Sequence, residues 1–157
     1  MPRKQASKHL LDLGTGSGYF PLTCRHQGLH VHSLDLDTTP LYAASIQRLS
    51  IDRTTFRIEP HKPLCDFAQR FDWVTAFQPM FDQADDGGIW ERTQWQYFFQ
   101  DLRNHVLNDR AQLFLGVNTV RSEFHKVLQD NFAFFQSLQG LQVIGGWLFS
   151  KEHLSAL

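Results

Sequence analysis

Three glycines spaced one residue apart, Gly14, Gly16 and Gly18, end a short apolar run of Leu10, Leu11 and Leu13. Such a run suits a strand buried on both faces. Glycine is needed in the loop that follows because the chain must turn sharply and let a ligand reach its backbone with no side chain intervening. The stretch from His9 to Phe20, HLLDLGTGSGYF, therefore predicts a strand, a ligand-holding loop and a helix, in that order. Its spacing discriminates among ligands. The dinucleotide pattern G-x-G-x-x-G/A counted from Gly14 needs a small residue where Tyr19 stands, and counted from Gly16 it meets Tyr19, Phe20 and Pro21. A Walker loop ends in Gly-Lys-Ser/Thr, whereas no lysine occurs between Lys8 and Lys62.

Leu29 to Leu34 reads as a second strand, ending in Asp35-Leu36-Asp37. An acidic residue ~20 positions beyond a glycine loop, at the end of the next strand, is where a Rossmann-like site holds ribose hydroxyls. Asp35 has that placement, while Asp37 reads equally as a solvated turn residue or a helix cap. The motif Asp12-Leu-Gly14-Thr-Gly16-Ser-Gly18 resembles motif I of the class I S-adenosylmethionine-dependent methyltransferases, and Phe71-Asp72-x-Val74 resembles their entry into the fourth strand. The resemblance implies an α/β three-layer sandwich around a mostly parallel sheet of six or seven strands. It also implies a cofactor, S-adenosylmethionine, held by Asp12, Gly14, Thr15, Gly16, Ser17, Gly18, Asp35 and Leu36, with Asp12 near the ammonium group. Phe77 joins this set at the end of the fourth strand. For the adenine, Glu59-Pro60-His61 or, further on, Cys65-Asp66-Phe67 serves, with Glu59 or His61 as the assigned contact.

The remaining elements follow from local signals. A first helix is predicted from Tyr19 to Gln27, with Pro21 tolerated in its first turn and Gly28 as its stop. A second opens at a Thr38 or Thr39 cap with Pro40 first, and Leu41, Ala43, Ala44 and Ile46 to Leu49 supply its apolar face. Strands are predicted at Thr54 to Ile58, Phe71 to Phe77 and Gln112 to Val117, the last after a turn at Asn108-Asp109. Thr93 with Gln96 has the spacing of a capping box, and Trp95, Phe98, Phe99, Leu102 and Val106 follow as a core face. Trp90 stands before that helix, as a lid residue or a packing residue. A further helix starts near Ser122, with Phe124, Val127, Leu128, Phe132, Phe135 and Leu138 on one face. The tail from Leu141 to Lys151 forms one strand with a glycine bulge, or two short strands joined at Gly145-Gly146.

At 157 residues the chain has the length of one domain, residues 1–157, with enough chain for a core. A composition of 42% hydrophobic, 13% aromatic and 20% charged residues excludes a disordered class. A net charge of -1 argues against a nucleic-acid partner, and no apolar run approaches the ~18 residues of a membrane span, so the expected location is the cytoplasm. Cys24 and Cys65 read as core thiols. His26, His30 and His32 lie on a helix and alternate along a strand, a poor ligand set, and no metal is expected. Gln78-Pro79-x-Phe81 partly echoes the Asn/Asp-Pro-Pro-Tyr/Phe of amino-group methyltransferases, which makes Gln78 a catalytic candidate. Asp82 and His61 are the candidate bases, ahead of Asp85 and Asp86, with Asp82 placed in the catalytic set. The acceptor is a small molecule or an exposed protein group. Only eight residues precede the first strand, so the acceptor's recognition is expected from the loop around Trp90, a partner chain such as a second copy in a homodimer, or segments beyond residues 1–157. Two rival readings are a SAM-binding module without catalysis and an NAD(P) oxidoreductase.

Overall fold

The computed structural model describes residues 8–83, 88–117 and 122–157. Strand β1 (His9–Leu13) leads through the glycine loop to helix α1 (Tyr19–His26), then β2 (His30–Asp35), α2 (Pro40–Leu49) and β3 (Arg53–Thr55). After a long connection come β4 (Phe71–Phe77) and α3 (Arg92–Asp101), which runs through a π-helical turn, Leu102–Val106, into β5 (Leu107–Gly116). Helix α4 (His125–Ser137) precedes a hairpin of β6 (Leu141–Val143) and β7 (Gly146–Ser150). The strands form one seven-stranded sheet in the order β3-β2-β1-β4-β5-β7-β6, parallel except for β7, which runs against both β5 and β6. The tail is thus two strands joined at the glycine pair.

Alternation along β1 separates two buried layers. Leu11 and Leu13 join one continuous core with Trp95, Phe98 and Phe99 of α3 and Phe134 and Phe135 of α4. Leu10, pointing the other way, is buried on the side of Cys24 in α1, outside that cluster. Helices therefore cover both faces. Aromatic rings dominate the larger layer, with Trp95 5.5 Å from Phe135 and Phe99 5.2 Å from Phe149, separations that allow edge-on packing. Trp90 is 1% exposed and packs against Trp95 and Phe81, which makes it a packing residue rather than a lid. Cys24 and Cys65 are free thiols, both pushed above the ordinary thiol range chiefly by burial.

Several local expectations shift. β3 ends at Thr55 instead of Ile58 because only Phe56 keeps a ladder-like bond, its N–H donating to the Asp35 carbonyl at 3.0 Å, before the chain turns away. α3 is capped by Glu91 with Gln94 in a reciprocal capping box, two residues ahead of the Thr93–Gln96 pair. Asn108 and Asp109 lie inside β5, where the register slips between Phe71 and Trp73 and the Asn108 amide donates to Asp72 at 3.0 Å. In α2 only Ile46 is buried, and Leu41 is 74% exposed, so most of its apolar stripe faces outward. Thr39 holds the N-cap position of that helix without a side-chain cap bond.

Candidate functional site

The glycine loop sits at the carboxyl end of β1, between its neighbours β2 and β4. Gly14, Gly16 and Gly18 have φ of +76°, +57° and +83°, a region that costs an L-residue ~1–2 kcal/mol. At Gly18 space is also lacking, since a Cβ would stand 2.8 Å from Ile46 Cδ1. The loop is fastened on the β2 side: the Gly14 N–H donates to the Leu34 carbonyl at 2.8 Å, and the Ser45 hydroxyl donates to the Ser17 carbonyl at 2.7 Å.

Asp35 is built into the same arrangement. Its Oδ2 accepts from the Gly16 N–H at 2.5 Å and its Oδ1 from the Leu36 N–H at 2.7 Å. Two backbone donors thus orient the carboxylate at the loop. Asp37, by contrast, pairs with Arg53 at 2.7 Å, a structural ion pair.

Asp12 lies beneath the loop and is 3% exposed. Its Oδ1 accepts from the Thr75 hydroxyl at 2.8 Å, and its Oδ2 from the Thr15 hydroxyl at 3.0 Å. Burial pushes its pKa up to about 6, against the opposing effect of the two hydroxyls and with a smaller contribution from the nearby Asp35 charge. Thr75, whose hydroxyl holds Asp12, is a contact that the sequence reading missed. Its signal lay in register: β1 and β4 pair Asp12 with Thr75, so a hydroxyl two residues before Phe77 falls on the face of Asp12.

A cleft of about 220 Å³ opens beside the loop. Gly14, Asp35, Leu36 and Glu59 line it, together with Phe56, Arg57 and Ile58 after β3 and Pro79 and Met80 after β4. Of the two adenine candidates, Glu59 is on the cleft wall, whereas His61 turns to Tyr97, ring centroids 5.8 Å apart. Phe77 is not on the wall either; it packs between Phe20 and Phe114 at 4.6 and 4.8 Å. Gln78 adopts a left-handed φ of +46°, unusual for a side-chain-bearing residue and found where a chain is forced to change direction. The Asp82 side chain is 3% exposed and its backbone carbonyl accepts from the Trp90 N–H at 2.7 Å, so its neighbours Phe81 and Gln83, and not Asp82, reach the cleft. Asp85 and Asp86 lie outside the described residues. His32 is held by Asp52 and Thr54, and His30 stacks on His9.

An open, mostly parallel sheet with a cleft at the carboxyl end of its strands defines a doubly wound α/β protein. No family model and no curated protein matches the sequence. Solved structures narrow the fold. The PH0226 protein from Pyrococcus horikoshii OT3 is similar with a TM-score of 0.55 at 17% identity, over 85% of this chain and 56% of that one. SAM-bound CalS10, an amino pentose methyltransferase from Micromonospora echinaspora involved in calicheamicin biosynthesis, matches at 0.51 and 20% identity, over 73% and 44%. The glycopeptide N-methyltransferase MtfA complexed with S-adenosyl-L-homocysteine matches at 0.51 and 18%, over 71% and 43%. The chain spans about half the length of these proteins. It has the Rossmann-like fold of the class I methyltransferases.

Proposed function

We propose that residues 1–157 form a single S-adenosylmethionine-dependent methyltransferase domain acting on a small-molecule or protein acceptor. The observation that carries this reading is the seating of Asp35 by the Gly16 and Leu36 amides in a cleft whose other end rests on the Asp12-braced loop. The donor set fits the cofactor. Asp35 has lone pairs left for a ribose diol, Asp12 braces the loop from beneath through Thr15 and Thr75 where the ammonium end would rest, and Leu36 and Ile58 flank the cleft with apolar surface for a base beside Glu59.

S-adenosylmethionine supplies an activated methyl group: the acceptor's lone pair takes the carbon, the bonding pair stays on sulfur, and the acceptor's proton passes to solvent. The chain's contribution is orientation, a class of effect worth ~7–11 kcal/mol in favourable systems. Asp35 and the loop fix one end of the reacting pair, while Pro79 and Met80 wall the cleft toward β4. Gln78, at the strained exit of β4, can accept a hydrogen bond from the acceptor. Asp82 is a base only if the acceptor reaches its buried carboxyl, and that burial favours the alternative reading of a SAM-binding module without catalysis. An NAD(P) oxidoreductase is disfavoured by the strand order, since the usual dinucleotide sheet runs 3-2-1-4-5-6 without an inserted antiparallel strand.

Calorimetric titration with SAM, S-adenosylhomocysteine and NADH tests the reading. Micromolar binding of the two sulfur ligands and none of NADH is expected; the reverse pattern refutes it. A screen with labelled methyl donor then separates the enzyme from the silent module.

A further inference from the structure

β4 leaves the sheet through two consecutive residues whose backbone is restricted. Gln78 takes a left-handed φ of +46°, a conformation unfavourable for an L-residue, and Pro79 both fixes its own φ and favours extended backbone in the residue before it. The two differ in placement. The Gln78 side chain is exposed, whereas Pro79 is buried.

A row of close backbone approaches holds this turn. Phe77 and Gly116 form the last paired rung between β4 and β5. A Cβ on Gly116 would stand 3.2 Å from the Gln78 nitrogen and 3.1 Å from the Gly145 carbonyl oxygen, so the missing side chain is what lets the three segments meet. Gly146 repeats the pattern, since a Cβ there would fall 2.8 Å from Gly116 Cα. Toward β1 the row continues: a Cβ on Gly14 would lie 3.7 Å from Pro79 Cβ and 3.9 Å from its Cα, which is ordinary contact. The row thus crosses the ends of four neighbouring strands, β7, β5, β4 and β1, and finishes on the glycine loop. Gly14 and Pro79 both line the cleft.

Backbone strain persists only where the surroundings over-determine it, and such positions gather at ligand clamps. Here the left-handed residue turns the chain off the line of β4, and the ring that follows meets the loop. The exposed amide of Gln78 takes no part in that contact; its backbone does.

We propose that Gln78 is a positioning residue whose left-handed backbone, wedged by Gly116, sets Pro79 against Gly14 and so fixes the cleft wall beside the glycine loop. The proposal rests on the methyltransferase reading for the identity of the ligand, and it gives Gln78 a role through Pro79 that is separate from any bond between its amide and an acceptor.

The test compares Gln78→Ala with Gln78→Gly in the full chain. Alanine removes the amide and keeps the backbone restriction; glycine removes both, so the difference between the variants belongs to the backbone. Gln78→Gly should melt about 2–4 °C above Gln78→Ala as the strain is relieved. It should nevertheless bind S-adenosylhomocysteine about two- to fivefold more weakly in calorimetry, the range set by glycine's added backbone freedom. Amide hydrogen exchange over residues 14–18, measured without ligand, should quicken by a similar factor. A residue with a merely structural role would raise the melting temperature and leave the affinity alone. Equal affinity in two variants that both bind S-adenosylhomocysteine overturns the proposal, as does a Gln78→Gly melting temperature at or below that of Gln78→Ala. Failure of the cofactor reading looks different, because then no protein, wild type included, binds S-adenosylhomocysteine. In that case the loop exchange decides: faster exchange in Gln78→Gly supports the wedge, and equal exchange overturns it.

Discussion

Replacing Asp12 with asparagine should make the protein more stable at neutral pH and less able to hold its cofactor. The carboxyl is buried, and its pKa is pushed up from an ordinary value near 3.8 to about 6. Because the folded-state value is the higher one, the folded chain binds the proton more tightly than the unfolded chain. The stabilisation from this group is fully present below pH 3.8 and is lost as pH rises through about 6. Each pH unit between the two values corresponds to ~1.4 kcal/mol, so the span from 3.8 to about 6 amounts to roughly 3 kcal/mol. An asparagine side chain carries no charge at any pH and keeps an oxygen for the Thr75 hydroxyl, so the Asp12→Asn variant serves as the reference. Urea unfolding of both proteins from pH 4 to pH 7 should show the variant gaining on wild type by up to ~3 kcal/mol. S-adenosylmethionine affinity should move the other way, tightening in wild type as pH rises through the same window and staying flat and weak in the variant. A stability difference constant to within ~0.5 kcal/mol over that range would refute the account of a carboxyl buried at a cost, since linkage then leaves no titration to explain.

Asp35→Ala should weaken S-adenosylhomocysteine binding by about ten- to a hundredfold, the range of hydrogen bonds to a charged group, and unchanged affinity in calorimetry removes the ribose assignment. Gly18→Ala forces a Cβ into left-handed backbone and against Ile46, and should lower stability by at least ~1–2 kcal/mol, or several degrees of melting temperature by scanning calorimetry. Trp90→Ala should cost ~3–5 kcal/mol as a core truncation, whereas a residue acting as a lid would leave the unfolding midpoint in place. Glu59→Gln and His61→Ala separate the adenine candidates, the first expected to weaken S-adenosylhomocysteine binding by a few-fold and the second to leave it unaltered.

The glycine loop was legible because three left-handed positions at alternate residues admit almost nothing but glycine, and Asp35 because strand ends position side chains at a distance the spacing already encodes. β4 was legible from its β-branched and aromatic run. Asn108 and Asp109 carry the chemistry of a turn, but the ladder to β4 and the bond to Asp72 prevailed over propensity. At the start of α3 the Thr93–Gln96 spacing pointed two residues too late, because a reciprocal box of Glu91 and Gln94 closes the helix start instead. Leu41 shows the limit of periodicity, which reveals that a stripe is apolar but not that anything covers it. The cleft wall from Phe56 to Pro60 has no period at all, so Glu59 and His61 could not be separated until the turn of the chain was known.

The segment after β4 is secured from a distance. The Asn131 amide of α4 donates to the Trp90 carbonyl at 2.7 Å, and the Trp90 N–H donates to the Asp82 carbonyl at 2.7 Å. The Gln78–Asp82 segment gains this tether only after α4 has emerged and docked. A nascent chain halted short of Asn131 would lack the bond that holds the Trp90 carbonyl, and with it the outer anchor of the segment after β4.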